Sequence, residues 1–348
     1  MRLQNVFTLG VLVILMLVGG THPAYALMVT GVGQASIDDG GKGVHELSGL
    51  TFIGPVTDQP NTYRYFAVSN SQQKMYGMDV QIDPSTGAIT SAKVTSTTAL
   101  IPGTDLEGIA YNSERNSVYV SDEVGPAIRE YSLAGGALMQ TLTVPPVFTN
   151  VRTNRGFEAL SLQSGGKSLW TANEEALTID GDLSTINSGT VVRLLKYNPD
   201  LTPAGQWAYK TDSIENDFPD DKRELSGISD IAVLPDGTIL VLEREIDAQL
   251  DDDFTPVGQC RLTIYQVDFS GSSDISSFTD GLKGKKYIAV KKTRLWQSKI
   301  NFQNYEGLCL GPKLNDGTYS LIMCADDQTG KAGFEQKLYA LKISGVQF

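Results

Sequence analysis

Asp105-Leu-Glu-Gly-Ile109 and Asn304-Tyr-Glu-Gly-Leu308 are two copies of one short pattern, and reading outward from them decides the fold. Three further copies are Glu46-Leu-Ser-Gly-Leu50, Gly156-Phe-Glu-Ala-Leu160 and Glu224-Leu-Ser-Gly-Ile228. Each runs apolar, then Glu or Ser, then Gly or Ala, then a branched aliphatic, and the copies start 59, 51, 68 and 80 residues apart. Self-similarity of this kind marks a repeat architecture. Gly165-Gly166, Asp236-Gly237 and Asp316-Gly317 supply hairpin turns after three of the copies. Second strands follow over 64–70, 117–123, 168–175, 238–245 and 319–327. Third strands follow over 75–80, 127–133, 191–197, 261–267 and 337–343. Fourth strands are weaker, with 137–145 and 204–212 as examples.

Four antiparallel strands repeated round a ring make an all-β propeller. The last repeat runs out of chain before its fourth strand, while residues 28–37 are strand-like and unassigned. Pairing the two closes the ring and removes its open sheet edges. The expectation is one propeller domain over residues 27–348, with five four-stranded blades closed by the N-terminal strand. The long fourth repeat leaves open a six-bladed ring with one degenerate blade.

Residues 1–26 read as an export leader. Arg2 precedes an apolar run from Val6 to Val18, and Ala24-Tyr25-Ala26 has the small-x-small form of a cleavage site. The run is shorter than the ~20 residues of a spanning helix, and no cysteine follows the cut to take a lipid. The expected location is secreted or periplasmic, with no membrane attachment after cleavage. Without the leader the chain carries 27 basic and 40 acidic residues, a net charge of −13. Such a surface repels nucleic acid and anionic membranes. Nothing in the sequence specifies an oligomeric state. The three cysteines are Cys260, Cys309 and Cys324. Cys309 and Cys324 fall on neighbouring strands and could bridge, but their spacing fits no disulfide framework and packing is the expectation.

In a hairpin the start of the first strand lies beside the end of the second. The starts carry Glu107, Glu158 and Glu306; the ends carry Asp122, Glu123, Glu174, Glu175, Glu243, Glu245, Asp326 and Asp327. Both sets are therefore expected on one rim, around the mouth of the central channel. Carboxylates gathered there repel one another unless protons, arginines or a cation intervene. All-oxygen ligands suit a hard cation such as calcium. The alternative is that each acid caps a strand and bonds backbone amides of the next blade. Arg155, Arg223, Arg244, Arg129 and Arg193 lie near the same rim, free to meet an anion or to pair with the acids. Asp180-Gly-Asp182 and Asp251-Asp252-Asp253 sit in long loops that could reach over the mouth.

Of two histidines, His22 leaves with the leader and only His45 remains. That excludes a multi-histidine zinc site. No Gly-x-Ser-x-Gly elbow is present to serve a triad. Gly166-Lys167-Ser168 lacks the earlier glycine of a phosphate loop and sits in a hairpin turn, so it is set aside.

Residues 154–160 (NRGFEAL), 191–197 (VVRLLKY), 227–233 (GISDIAV), 240–244 (LVLER), 305–308 (YEGL) and 325–327 (ADD), in this order, resemble the phytase-like propeller domain of the "esterase-like activity of phytase" proteins. The resemblance runs from about Glu46 to the C-terminus. It implies a propeller, bacterial export and a distant relation to calcium-dependent alkaline phytases, in which calcium at the channel mouth holds phosphate and activates a water. It carries over to Asn154, Arg155, Glu158, Glu174, Asp230, Glu243, Arg244, Glu306, Asp326 and Asp327. The dense basic set that phytate calls for is missing, which counts against phytate itself.

Three functions stay open. One is a calcium-dependent phosphoester hydrolase acting on a small anionic substrate. Glu158, Glu306, Arg155 and Arg244 would be its catalytic residues, and Glu107, Glu158, Glu174, Glu243, Glu306, Asp326 and Asp327 its metal ligands. The second is a non-catalytic, calcium-stiffened propeller that binds a ligand or a protein. The third is a metal-dependent lactonase or carboxylesterase. One fold hosts many chemistries, so the choice rests on the site.

Overall fold

The computed structural model describes residues 26–215, 224–250, 256–300, 303–328 and 335–348. Residues 1–25 of the expected leader, Arg223 and the loop acids Asp251, Asp252 and Asp253 lie outside them. Twenty strands form five antiparallel sheets of four. The N-terminal strand is β1 (Met28–Ser36). The first blade holds β2 (Leu47–Pro55), β3 (Thr62–Ser69), β4 (Lys74–Ile82) and β5 (Ile89–Ala99). The second holds β6 (Leu106–Asn112), β7 (Ser117–Asp122), β8 (Ala127–Ser132) and β9 (Leu138–Thr141). The third holds β10 (Phe157–Leu162), β11 (Leu169–Asn173), β12 (Val191–Tyr197) and β13 (Pro203–Lys210). The fourth holds β14 (Glu224–Val233), β15 (Ile239–Leu250), β16 (Pro256–Asp268) and β17 (Lys291–Ile300). The fifth is β18 (Asn304–Lys313), β19 (Tyr319–Asp326) and β20 (Lys337–Ser344), completed by β1 on its outer edge.

The ring has five blades, and β1 closes it by pairing from Met28 opposite Ser344 to Ser36 opposite Lys337. The alternative of six falls to the inserted loop over 269–290, between β16 and β17. This loop packs on the third blade and makes no sheet of its own. Ile275 N donates to Gln206 O and Val290 N to Ala208 O, both at 2.9 Å. Asp180 and Arg193, both buried, fasten it: Arg193 pairs with both oxygens of Asp180 (2.6 and 2.8 Å) and donates to Phe278 O (3.0 Å). Asp180 thus serves the insertion and does not reach over the channel mouth.

Apolar residues fill the gaps between blades rather than one central core. One cluster joins Leu50, Tyr65 and Met78 of the first blade to Ile322, Cys324 and Ala340 of the fifth. Another joins Val68 and Met75 to Ile109 and Val120 across the next gap. Each blade is therefore covered on both faces, and all six residues of β7 are buried. The repeated motif owes its small residue to the same packing. A Cβ on Gly108 would lie 2.6 Å from the amide of Leu160 on the neighbouring first strand. Cys260, Cys309 and Cys324 are free and buried. Cys309 stands opposite Ile322 and Cys324 opposite Gly307, so the two are out of register for a bridge.

Candidate metal centre at the channel mouth

The first strands carry their acids at breaks in the ladder. Phe157 pairs with Asn173 and Ala159 with Ala172, which leaves Glu158 as the extra residue of a bulge. Tyr305 pairs with Ala325 and Gly307 with Cys324, leaving Glu306 in the same position. In the second blade the ladder skips from Leu106 to Ile109, across Glu107. A bulge turns its extra side chain out of the strand's alternation, and here it turns three glutamates toward one place. Donor oxygens of Glu107, Glu158 and Glu306 lie within 4.8 Å of one another. So do those of Asp105, Glu107 and Glu123, and those of Glu123, Glu158 and Glu174. Of these six acids only Asp105 is not buried. In the first blade the equivalent position is Ser48, whose hydroxyl donates to Glu107 Oε2.

Arg244 lies against one side of this cluster, itself buried. Its Nη2 is 2.7 Å from Glu174 Oε1 and 4.0 Å from Glu158 Oε1. Its Nη1 donates to Glu306 Oε1 and, at 3.0 Å, to Asn304 Oδ1. Asn304 Nδ2 also donates to Glu306 Oε1 (2.8 Å). Both donors thus meet one oxygen of Glu306, and the other, Oε2, is buried without a hydrogen bond. Arg155 is more open, with 27% of its side chain exposed, and reaches Glu174 Oε2 at 3.2 Å and Glu175 Oε2 at 3.4 Å.

Burial drives the electrostatics. It holds the carboxyls of Glu107 and Glu158 well above the usual range, and the neighbouring glutamates add to the rise. Glu306 is raised less, because Arg244 opposes its burial. Burial, and then Glu174, lifts Glu123 to about 8 and Glu175 to about 7. These groups resist ionising side by side, and a bound cation relieves that resistance. An all-oxygen donor set with one bare buried oxygen fits a hard divalent ion.

Other acids singled out by the sequence go elsewhere. Glu243 is one residue from Arg244 and so faces the other way along β15. It accepts from Tyr209 Oη (2.6 Å), Asp212 N (2.9 Å) and Lys292 Nζ (2.5 Å). Asp326 stands beside Glu306 but accepts from Gln328 N (2.7 Å); burial, then Glu306, lifts it to about 8. Asp327 ties the fifth blade to the first through Glu46 N and His45 Nδ1, both at 2.8 Å. Asp122 pairs with Arg129 (2.5 Å). Asn154 occupies the turn before β10 at a φ of 56°, its carbonyl accepting from Arg155. Asp105, in the bend just before β6, is the one acid of the three triplets that the sequence reading does not single out, and its only signal is its place two residues before Glu107.

Several solved structures are similar to the chain. A luciferin-regenerating enzyme is 11% identical at a TM-score of 0.39, covering 92% of this chain and 97% of its own. A member of the DUF4221 family from Bacteroides vulgatus is 9% identical at 0.42, covering 91% and 98%. A mannose phosphorylase from Leishmania mexicana is 8% identical at 0.36, covering 88% and 87%. At these TM-scores the likenesses decide nothing about chemistry. No curated protein matches the chain. The repeats and buried glutamates described above lie within a match to one family over residues 42–329, most of the sequence, and the chain belongs to that phytase-like family, described as esterase-like activity of phytase.

Proposed function

We propose that this chain is an exported, calcium-dependent phosphoester hydrolase acting at the channel mouth. The observation that carries the reading is the convergence of Glu107, Glu158 and Glu306, three buried carboxylates from three blades, with Glu306 Oε2 left bare. Glu107, Glu158 and Glu306 would hold the ion. Its chemistry would be positive charge beside the phosphoryl oxygens and a more acidic attacking water. Arg155, partly exposed at the same rim, is the residue placed to orient an anionic substrate. Glu123, which shares a triplet with Glu158, would take the proton of the attacking water once a bound cation offsets the burial that keeps it protonated.

A specific observation favours a second reading, a non-catalytic propeller stiffened by calcium. Both terminal nitrogens of Arg244 are engaged by Glu174, Glu306 and Asn304, and of the two arginines proposed as catalytic this leaves Arg155 the more open to an anion. One experiment separates the readings. Turnover of a phosphomonoester, a lactone and a simple acyl ester is measured after EDTA treatment and again with calcium restored. Calcium-dependent phosphomonoester turnover supports the hydrolase, and preference for the lactone or acyl ester replaces it with a carboxylic-ester enzyme. Calcium-dependent stabilisation with no turnover leaves the binding propeller.

A further inference from the structure

We propose that Arg244 is a built-in cation, occupying the place of the metal ion that Glu123, Glu158 and Glu174 would otherwise share and confining metal binding to the triplet of Glu107, Glu158 and Glu306. The inference rests on the metal centre proposed above. The three triplets comprise Asp105, Glu107, Glu123, Glu158, Glu174 and Glu306. Arg244 lies within 4.0 Å of three of these, Glu158, Glu174 and Glu306. Among the described residues, no lysine or arginine forms an ion pair with the other three, Asp105, Glu107 and Glu123. Arg244 thus lies against Glu158, Glu174 and Glu306, while Asp105, Glu107 and Glu123 are without an ion-pair partner among the described residues.

Geometry makes the division specific. Arg244 extends from β15 of the fourth blade, whose first-strand motif offers Ser226 in place of a glutamate. A buried guanidinium offers a planar fork of donors, and here one fork closes on carboxylates of the third and fifth blades. It takes Oε1 of Glu306 and leaves Oε2 without a partner. The bare oxygen is therefore left to the triplet with Glu107 and Glu158. The triplet of Glu123, Glu158 and Glu174 is the one the guanidinium holds shut.

The test is the number of calcium ions bound, read by titration calorimetry on the mature protein freed of metal. The native chain is compared with Arg244→Lys and Arg244→Gln. The expected result is one more ion per chain in Arg244→Gln than in the native protein, and the native number in Arg244→Lys, which keeps the charge. An unchanged or smaller number in Arg244→Gln, with calcium still bound by the native chain, overturns the inference and spares the metal centre. Calcium bound by Arg244→Gln alone supports the inference and removes the proposed native centre. No binding by either overturns both. Should Arg244→Gln unfold in EDTA, refolding on addition of calcium supports the exchange of guanidinium for metal, and failure to refold at saturating calcium counts against it.

Discussion

Asp230 accepts the amide of Leu308 at 2.6 Å, and with its other oxygen it accepts the amide of Leu160 at 3.3 Å. Leu308 and Leu160 lie two residues beyond Glu306 and Glu158 on their strands. One buried side chain of the fourth blade therefore ties together the two strands that present these glutamates. It bonds backbone amides of neighbouring blades. Burial raises its carboxyl well above the usual range even so, because three amide bonds only partly replace water.

Asp230→Asn is expected to test that tie. One of the two oxygens becomes an amide donor facing an N–H, and an unmet buried polar group costs about 1–3 kcal/mol. The variant should unfold at lower denaturant concentration and bind calcium at least severalfold more weakly while still folded. Loss of stability with unchanged calcium affinity would confine Asp230 to holding the blades.

The double variant Glu158→Ala, Glu306→Ala removes two of the three converging carboxylates. Calcium at a hundred times its dissociation constant stabilises a native protein by about 2.7 kcal/mol, so the native chain should melt several degrees higher in calcium than in EDTA. In the double variant that difference should vanish, together with any metal-dependent turnover. Turnover that survives unchanged would sink the assignment.

Metal-free stability should fall as pH rises. Glu123 and Glu175 have pKa values raised from 4.5 to about 8 and about 7 in the folded chain. Between about 4.5 and these values the native state holds protons that the unfolded state has lost, so stability declines across that window and the contribution of these two groups is spent above about pH 8. Calcium should oppose the trend, because its ligands must be deprotonated and its affinity climbs as pH rises. Denaturant midpoints at pH 5, 6.5 and 8, in EDTA and in calcium, check both signs.

Asp180→Ala provides a contrast away from the channel. It strands the fully buried Arg193, and breaking a buried pair costs about 3–5 kcal/mol. The loss should be the same in calcium and in EDTA, since this pair fastens the 269–290 insertion. A calcium-dependent loss would instead link the insertion to the metal centre.

The repeat, the four-strand unit and the closing role of β1 were legible in the sequence, because motif spacing and runs of apolar residues are local properties of the chain. So was the placing of Glu107, Glu158 and Glu306 at one repeat position, from which their nearness follows once the ring exists. Whether the long fourth repeat held a sixth blade was not legible, since loop 269–290 declares itself an insertion only by docking on Gln206 and Ala208. Nor was the sorting of the acids. Glu243 and Arg244 differ by one residue and so by a whole strand face, and the bulges that re-aim Glu158 and Glu306 leave no mark in the alternation. Arg244 and Glu306 are 62 residues apart in the chain. Their pairing depends on ring closure, which brings blades remote in sequence to one channel where burial removes the water that would otherwise screen them.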